Sequence, residues 1–276
     1  MIDIFCKAVI DGLHINKFIE TGTFAGETIA QVSLWFAELH PEFGQIEKLV
    51  ITGAKGSNPW NTYITYPVFK ATSRESNFKI YSVDSNSELY QTAKEIFSSN
   101  SNIILACQSS EQFLKELVDS ESIDKEDNCF FYLDAHWGKY WPLHDEIRQV
   151  LRLKRFAIVI DDFAVPGYPE FGYDVYGYDA CDWNYIKNLF RKRQVLIYYP
   201  MRANQDGRGW VLIISGYPQE SLAFLDKVPL FASNFRGIFV KKTKIWLWNL
   251  VLRNRILHRG AKAILSTAAR FKRGFS

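Results

Sequence analysis

The stretch Phe18-Ile-Glu-Thr-Gly-Thr-Phe-Ala-Gly-Glu-Thr28 decides how the chain is read. Phe18 and Ile19 form a short apolar run, Gly22 and Gly26 stand four apart, and a helical pattern follows from Glu27 to about Leu39. This order predicts a strand, a glycine turn and a helix. Gly22 lets the chain turn sharply, and Gly26 lets helix and ligand approach the backbone. The free N–H groups at the helix start then face whatever lies above them. Such a shape cradles a nucleotide. The turn lacks one glycine of the dinucleotide fingerprint Gly-x-Gly-x-x-Gly, which disfavours a nicotinamide dinucleotide. Glu20 points the same way, because a carboxylate at the strand tip repels a phosphate and attracts a cationic amino group. The expected ligand is positively charged.

Further strand and helix patterns follow this turn. The spacing predicts a strand over Phe78–Val83 that ends in Asp84, then a helix over Glu88–Phe97. An acidic residue at that strand tip reaches the ribose hydroxyls of a bound nucleoside in a doubly wound sheet, while Asp84-Ser-Asn-Ser87 reads equally as a helix cap. A strand over Asn102–Ala106 leads into Gln108-Ser109-Ser110 and a helix over Glu111–Val118. The continuous apolar run from Cys129 ends in Asp134 and His136, as expected of a strand covered on both faces with its tip at the ligand side. A helix is expected over Leu143–Leu153 with Glu146 and Arg148 outward, then a strand over Phe156–Ile160 ending in Asp161-Asp162. Asp134, Asp161 and Asp162 would converge on one rim, where like charges repel and a cation is the natural partner. An all-carboxylate site suits a hard ion such as magnesium better than zinc. The plainer alternative is that Asp161 and Asp162 cap a turn and His136 is a satisfied buried histidine. Val195–Tyr199 and Gly209–Ser215, joined by Met201–Arg208, predict a hairpin whose last strand runs antiparallel.

Taken together, these positions resemble a class I S-adenosylmethionine-dependent methyltransferase. Leu133-Asp-Ala-His-Trp137 followed by Ile160-Asp-Asp-Phe163 looks like the bacterial sugar O-methyltransferases related to macrocin O-methyltransferase, over roughly Phe18 to Gly216. The resemblance implies a Rossmann-like, doubly wound, mostly parallel seven-stranded α/β sheet with an antiparallel last strand. It implies S-adenosylmethionine held by Glu20, Thr21, Gly22, Thr23, Gly26, Thr28, Asp84, Ser109, Ser110 and Asp134. It also implies magnesium held by Asp134, Asp161 and Asp162, with His136 as general base beside Asp134 and His144 in reserve. The implied reaction is methylation of a hydroxyl on a sugar or on a glycolipid or polysaccharide precursor. Two rivals remain: a metal-dependent hydroxylase on the same fold, similar to cephalosporin hydroxylase relatives, and a nucleoside-binding module without turnover, tethered by its tail.

The chain's 276 residues, 47% of them hydrophobic, suffice for one large α/β core. We expect a catalytic domain over 1–240 and a separate tail over 241–276. The tail holds ten Lys or Arg and no acid, which leaves 23 basic against 30 acidic residues in 1–240 and a net charge there of −7. Ile245, Trp248, Leu252 and Ile256 recur at helical spacing among these cations, a pattern expected of a helix lying on an anionic membrane surface. The acidic body argues against nucleic acid as partner, and a homo-oligomer is compatible with the sequence. The insertion 40–77 carries Trp60, Tyr63 and Tyr66 and reads as a lid or acceptor wall. The aromatics between Val165 and Trp183 read as a stacking platform for a flat acceptor. Met1–Lys17 is expected to cover an edge of the sheet. Cys6, Cys107, Cys129 and Cys181 lie far apart, and no secretory signal precedes the first strand, so a reducing cytoplasm is expected.

Overall fold

The computed structural model describes residues 2, 4–39, 44–51, 64–71, 78–98, 100–136 and 140–232. Residues 1–230 cluster as one compact unit and 231–276 as a second. The basic tail of 241–276, Trp137 and residues 52–63 of the insertion lie outside the described residues.

The first half of the chain runs through α1 (Phe5–Gly12), β1 (Lys17–Thr21), α2 (Glu27–Leu39), β2 (Gly44–Ile51), β3 (Ile64–Ala71), β4 (Lys79–Asp84), α3 (Ser87–Phe97), β5 (Ile103–Cys107) and α4 (Ser110–Asp119). The second half continues with β6 (Cys129–Leu133), α5 (Leu143–Val150), β7 (Phe156–Ile160), β8 (Val175–Tyr176), β9 (Asp179–Ala180) and α6 (Trp183–Ile186). It ends in β10 (Leu196–Pro200), β11 (Val211–Ser215) and a three-residue strand β12 (Leu230–Ala232). Seven strands stand in the order β10-β11-β7-β6-β1-β4-β5, with β12 next to β10 at the edge. β1, β4, β5, β6 and β7 pair in parallel, whereas β11 runs antiparallel to both β7 and β10. This is the Rossmann-like sheet with a reversed last strand that the sequence predicts.

Register places the site. Thr21 lies opposite Val83 on one side and Leu133 on the other, and Leu133 lies opposite Ile160. The residues that follow these partners are Asp84, Asp134 and Asp161, so three acidic tips reach the same level across β4, β6 and β7. The chain leaves β1 toward β4 on one side and returns to β6 on the other, and that reversal opens a crevice above the strand ends.

The central strands β6 and β7 are buried on both faces, which is why they read as unbroken apolar runs. Phe18, Ile80, Phe130, Val159 and Leu212 share one core layer with Cys6, Val9 and Ile10 of α1 and Ile29, Trp35 and Phe36 of α2. The rings of Phe18 and Phe130 stack at 5.6 Å. α1 thus covers a face of the central strands and not an edge. Alternation sends Phe131, Leu133, Ile158 and Ile160 to the opposite face, and Phe113 and Leu117 of α4 and Ile147 and Val150 of α5 are buried as well.

Four differences from the sequence reading stand out. The insertion contains an antiparallel pair, β2 with β3, from Gly44 opposite Ala71 to Ile51 opposite Ile64. The 165–183 segment contains a second small pair, β8 with β9. The spacing also predicts a helix over Trp183–Arg191, and it stops at Ile186. Glu146 is buried, not outward, and its burial pushes the carboxyl up to about 7, while Arg148 does face solvent. No helix among the described residues is long and apolar enough to cross a membrane.

Candidate functional site

The glycine turn closes against β4 and β6. Gly22 has φ +89°, and the N–H groups of Gly22 and Thr23 both donate to the Val83 carbonyl, at 2.9 and 3.1 Å. A Cβ on Gly22 would lie 2.6 Å from the Asp134 carbonyl oxygen, so only glycine lets the tips of β1 and β6 come this close. Gly26 serves a different purpose. With φ +81°, its missing Cβ leaves room for the Phe97 ring of α3, and Gly26 does not line the cavity above the turn.

That cavity measures about 870 Å³. Among the residues expected to act, Glu20, Gly22, Thr23, Thr28, Asp84, Ser110, Asp134, His136, Asp161 and Asp162 all line it. Thr21 and Ser109 do not; Thr21 accepts the Asp134 N–H at 3.1 Å, and Ser109 occupies the N-cap of α4. His144 is also elsewhere, stacked on Tyr185 at 4.0 Å with its Nε2 3.0 Å from the Tyr185 carbonyl.

One half of the cavity surrounds the glycine turn. The Asp84 carboxylate accepts the Phe24 N–H at 2.9 Å and the Asn86 N–H at 2.8 Å, which locks the turn after β1 to the turn after β4. Asn86, not Asp84, caps α3, its Oδ1 accepting from the N–H groups of Glu88 and Leu89. A carboxylate offers about four lone-pair positions, so Asp84 keeps acceptor capacity toward the cavity. Glu20 is 1% exposed and accepts the Ser82 hydroxyl at 2.6 Å. Burial is the main force that pushes its carboxyl up to about 8, with the nearby Asp84 adding to it. Glu20 is therefore mostly neutral at pH 7 until a cation arrives.

The other half gathers carboxylates around one imidazole. His136 is buried, and its Nε2 has no hydrogen-bond partner among the described residues. That nitrogen lies 3.8 Å from Asp134 Oδ1, 3.9 Å from Asp162 Oδ2 and 3.6 Å from Asp174 Oδ2. Burial outweighs the neighbouring acids and pulls His136 down to about 4, so it is a neutral base at physiological pH. Burial and then Asp161 and Asp162 hold the Asp134 carboxyl well above the usual range, and burial and Asp161 push Asp162 up to about 6. Ligand atoms of Asp134, His136 and Asp162 lie within 4.8 Å of one another. Asp161, expected as the third ligand, instead accepts the Tyr132 hydroxyl at 2.5 Å and the Asn204 amide at 3.3 Å.

Asp174, Asn204, Asp206 and Arg208 also line the cavity and were not anticipated, whereas Tyr176 belongs to the expected stacking platform. Asp174 and Tyr176 both come from the aromatic segment. The Tyr176 hydroxyl lies 2.9 Å from the His136 carbonyl and 3.0 Å from Asp174 Oδ2. The aromatics themselves divide: Tyr176 reaches the cavity and packs on Trp141 at 4.7 Å, whereas Tyr168 and Phe171 stack on each other and Tyr178 is fully exposed. Exposure alternates over Tyr173–Tyr176, with Tyr173 and Val175 exposed and Asp174 and Tyr176 half-buried toward the cavity.

No protein family and no curated protein matches the chain. Among solved structures, it is similar to an O-methyltransferase from Bacillus cereus in complex with SAH, at 11% identity over 78% of this chain and 82% of that one, with a TM-score of 0.47. It is also similar to the O-methyltransferase TomG from Streptomyces achromogenes, involved in tomaymycin synthesis and in complex with SAM, at 10% identity over 79% and 82%, with a TM-score of 0.48.

Proposed function

We propose that this chain is an S-adenosylmethionine-dependent O-methyltransferase acting on a hydroxyl of a sugar or of a glycolipid or polysaccharide precursor. The observation that carries the reading is the single cavity in which Glu20 and Asp84 lie on one side and the neutral imidazole of His136 on the other. Asp84 faces where the ribose hydroxyls would sit, and Glu20 suits the amino group of the methionyl moiety. His136 Nε2 would take the proton of the acceptor hydroxyl as its oxygen bonds to the methyl carbon and the carbon–sulfur bond breaks to release S-adenosylhomocysteine, because an alcohol is a poor nucleophile until its proton leaves. The donor atoms of Asp134 and Asp162 fit a small divalent ion such as magnesium, which prefers oxygen ligands and would leave the imidazole for the proton. When bound, that ion would lower the pKa of the acceptor hydroxyl. Asp161, held by Tyr132 and Asn204, lines the same cavity beside the cluster.

Titration with S-adenosylhomocysteine tests the cofactor half. Glu20 must ionise to hold an ammonium, so binding at pH 7 releases a proton, and the heat observed depends on the ionisation enthalpy of the buffer. Affinity should rise from pH 6 to about 8, the value near which the Glu20 carboxyl sits, and then level off. Glu20→Gln should remove both effects. Buffer-independent heats with a flat pH profile would contradict the assignment.

We also propose that the basic segment 241–276 carries the enzyme to anionic membrane surfaces, on the strength of its ten cations and helical apolar spacing. Co-sedimentation of the full chain with phosphatidylserine vesicles but not with phosphatidylcholine vesicles is expected. Equal behaviour with both would end this idea.

A further inference from the structure

Among the described residues that line the cavity, Arg208 alone carries a fixed positive charge, against Asp134, Asp161, Asp162 and Asp174. Its Nε donates to Asp162 Oδ1 and its Nη2 to Asp174 Oδ1. The remaining oxygen of each carboxylate, Oδ2, turns toward the buried and unpartnered Nε2 of His136. The guanidinium is anchored by backbone as well as by charge. Gly172 donates to the Gly207 carbonyl at 2.9 Å, Gly209 donates to Gly172 at 2.8 Å, and Asp174 donates its N–H to the Asp162 carbonyl at 2.9 Å. The planar fork therefore sits in a fixed frame, the arrangement in which arginine binds two carboxylates best.

We infer that Arg208 is a built-in counter-cation which shares the Asp162 and Asp174 carboxylates with any divalent ion entering the site, so that ion binding is weakened by Arg208. The physical reason is Coulombic. The site can present an Oδ2 face to an ion only beside a guanidinium already held on the Oδ1 face, and two cations a few ångström apart in a partly buried pocket repel strongly. Asp134, which Arg208 does not reach in any contact seen here, would then be the carboxylate most available to the ion. The inference rests on the divalent-ion part of the proposed function.

Mn²⁺ binding by the full chain, followed through the electron paramagnetic resonance signal of the free ion, tests it in the absence of acceptor and cofactor. Arg208→Gln is expected to bind Mn²⁺ at least about tenfold more tightly than the wild type, equivalent to 1.4 kcal/mol. Equal or weaker binding by the variant overturns the inference, as does an absence of binding to both proteins. Should the variant fail to fold, judged by far-ultraviolet circular dichroism, the wild type gives a second reading. Saturating Mg²⁺ should draw Asp162 away from Arg208 and speed its modification by phenylglyoxal, read by peptide mass spectrometry; an unchanged or slower rate overturns it too. S-adenosylhomocysteine titration of the same samples separates the failures. Intact nucleoside binding with no Arg208 effect removes only this inference, whereas loss of nucleoside binding in the wild type removes the methyltransferase reading itself.

Discussion

Asp84→Ala should weaken S-adenosylhomocysteine binding by at least about a hundredfold in a calorimetric titration. The carboxylate does two things at once. It would accept the ribose hydroxyls, and it already accepts the N–H groups of Phe24 and Asn86, so the glycine turn and the β4–α3 turn are held in register through one side chain. A hydrogen bond to a charged group contributes about 1.5–3 kcal/mol, and losing two ribose contacts alone corresponds to about 3 kcal/mol or more. Asp84→Asn separates the two roles, because the amide retains one acceptor oxygen for the backbone but loses charge and half of the acceptor capacity toward the nucleoside. Its thermal midpoint should lie closer to that of the wild type than the alanine variant does. Asp134→Ala, across the cavity, should spare nucleoside binding and abolish any effect of Mg²⁺ on it. Nucleoside affinity of wild-type strength in Asp84→Ala would mean that the ligand lies elsewhere.

His136→Ala should lower the methyl-transfer rate by about 10²–10⁴, the usual worth of a positioned general base, while leaving cofactor affinity unchanged. The pH dependence carries the sharper test. Burial pulls His136 down to about 4, so its lone pair is present throughout the neutral range and is lost only as pH falls through that value. The acid limb of the wild-type rate should therefore lie near pH 4, well below the 6.5 of an unperturbed imidazole, and it should vanish in the variant. A limb near 6.5 would assign the proton to some other group, and an unchanged rate in His136→Ala would remove the base altogether. His144, bonded to the Tyr185 carbonyl and stacked on the Tyr185 ring away from the cavity, is a suitable control whose substitution should leave the rate as it was.

Much of the site was legible in the chain because it is written at strand ends. An apolar run that stops in an acid marks a covered parallel strand and its tip, and four such runs put Glu20, Asp84, Asp134 and the Asp161-Asp162 pair at one end of the sheet. The direction in which each side chain then turns was not legible. Asp161 and Asp162 are neighbours on one strand end, yet Asp161 is satisfied by Tyr132 and Asn204 while Asp162, with φ +52°, turns toward Arg208 and His136. Glu146 likewise read as a solvent-facing position on an amphipathic helix and is buried.

The sequence by itself determined the order of the main-sheet strands and their helices, the position of the glycine turn and the reversal of the last strand, because these follow from periodicity, glycine conformational freedom and hairpin length, which are properties of neighbouring residues. Only the tertiary structure decided which carboxylates meet the imidazole and which are tied up elsewhere. Asp174 and Arg208 are brought to Asp162 from 12 and 46 positions away by the packing of the 165–183 segment against the β10–β11 hairpin. Pairings of that kind depend on burial and charge balance across the whole fold, and no local pattern encodes them.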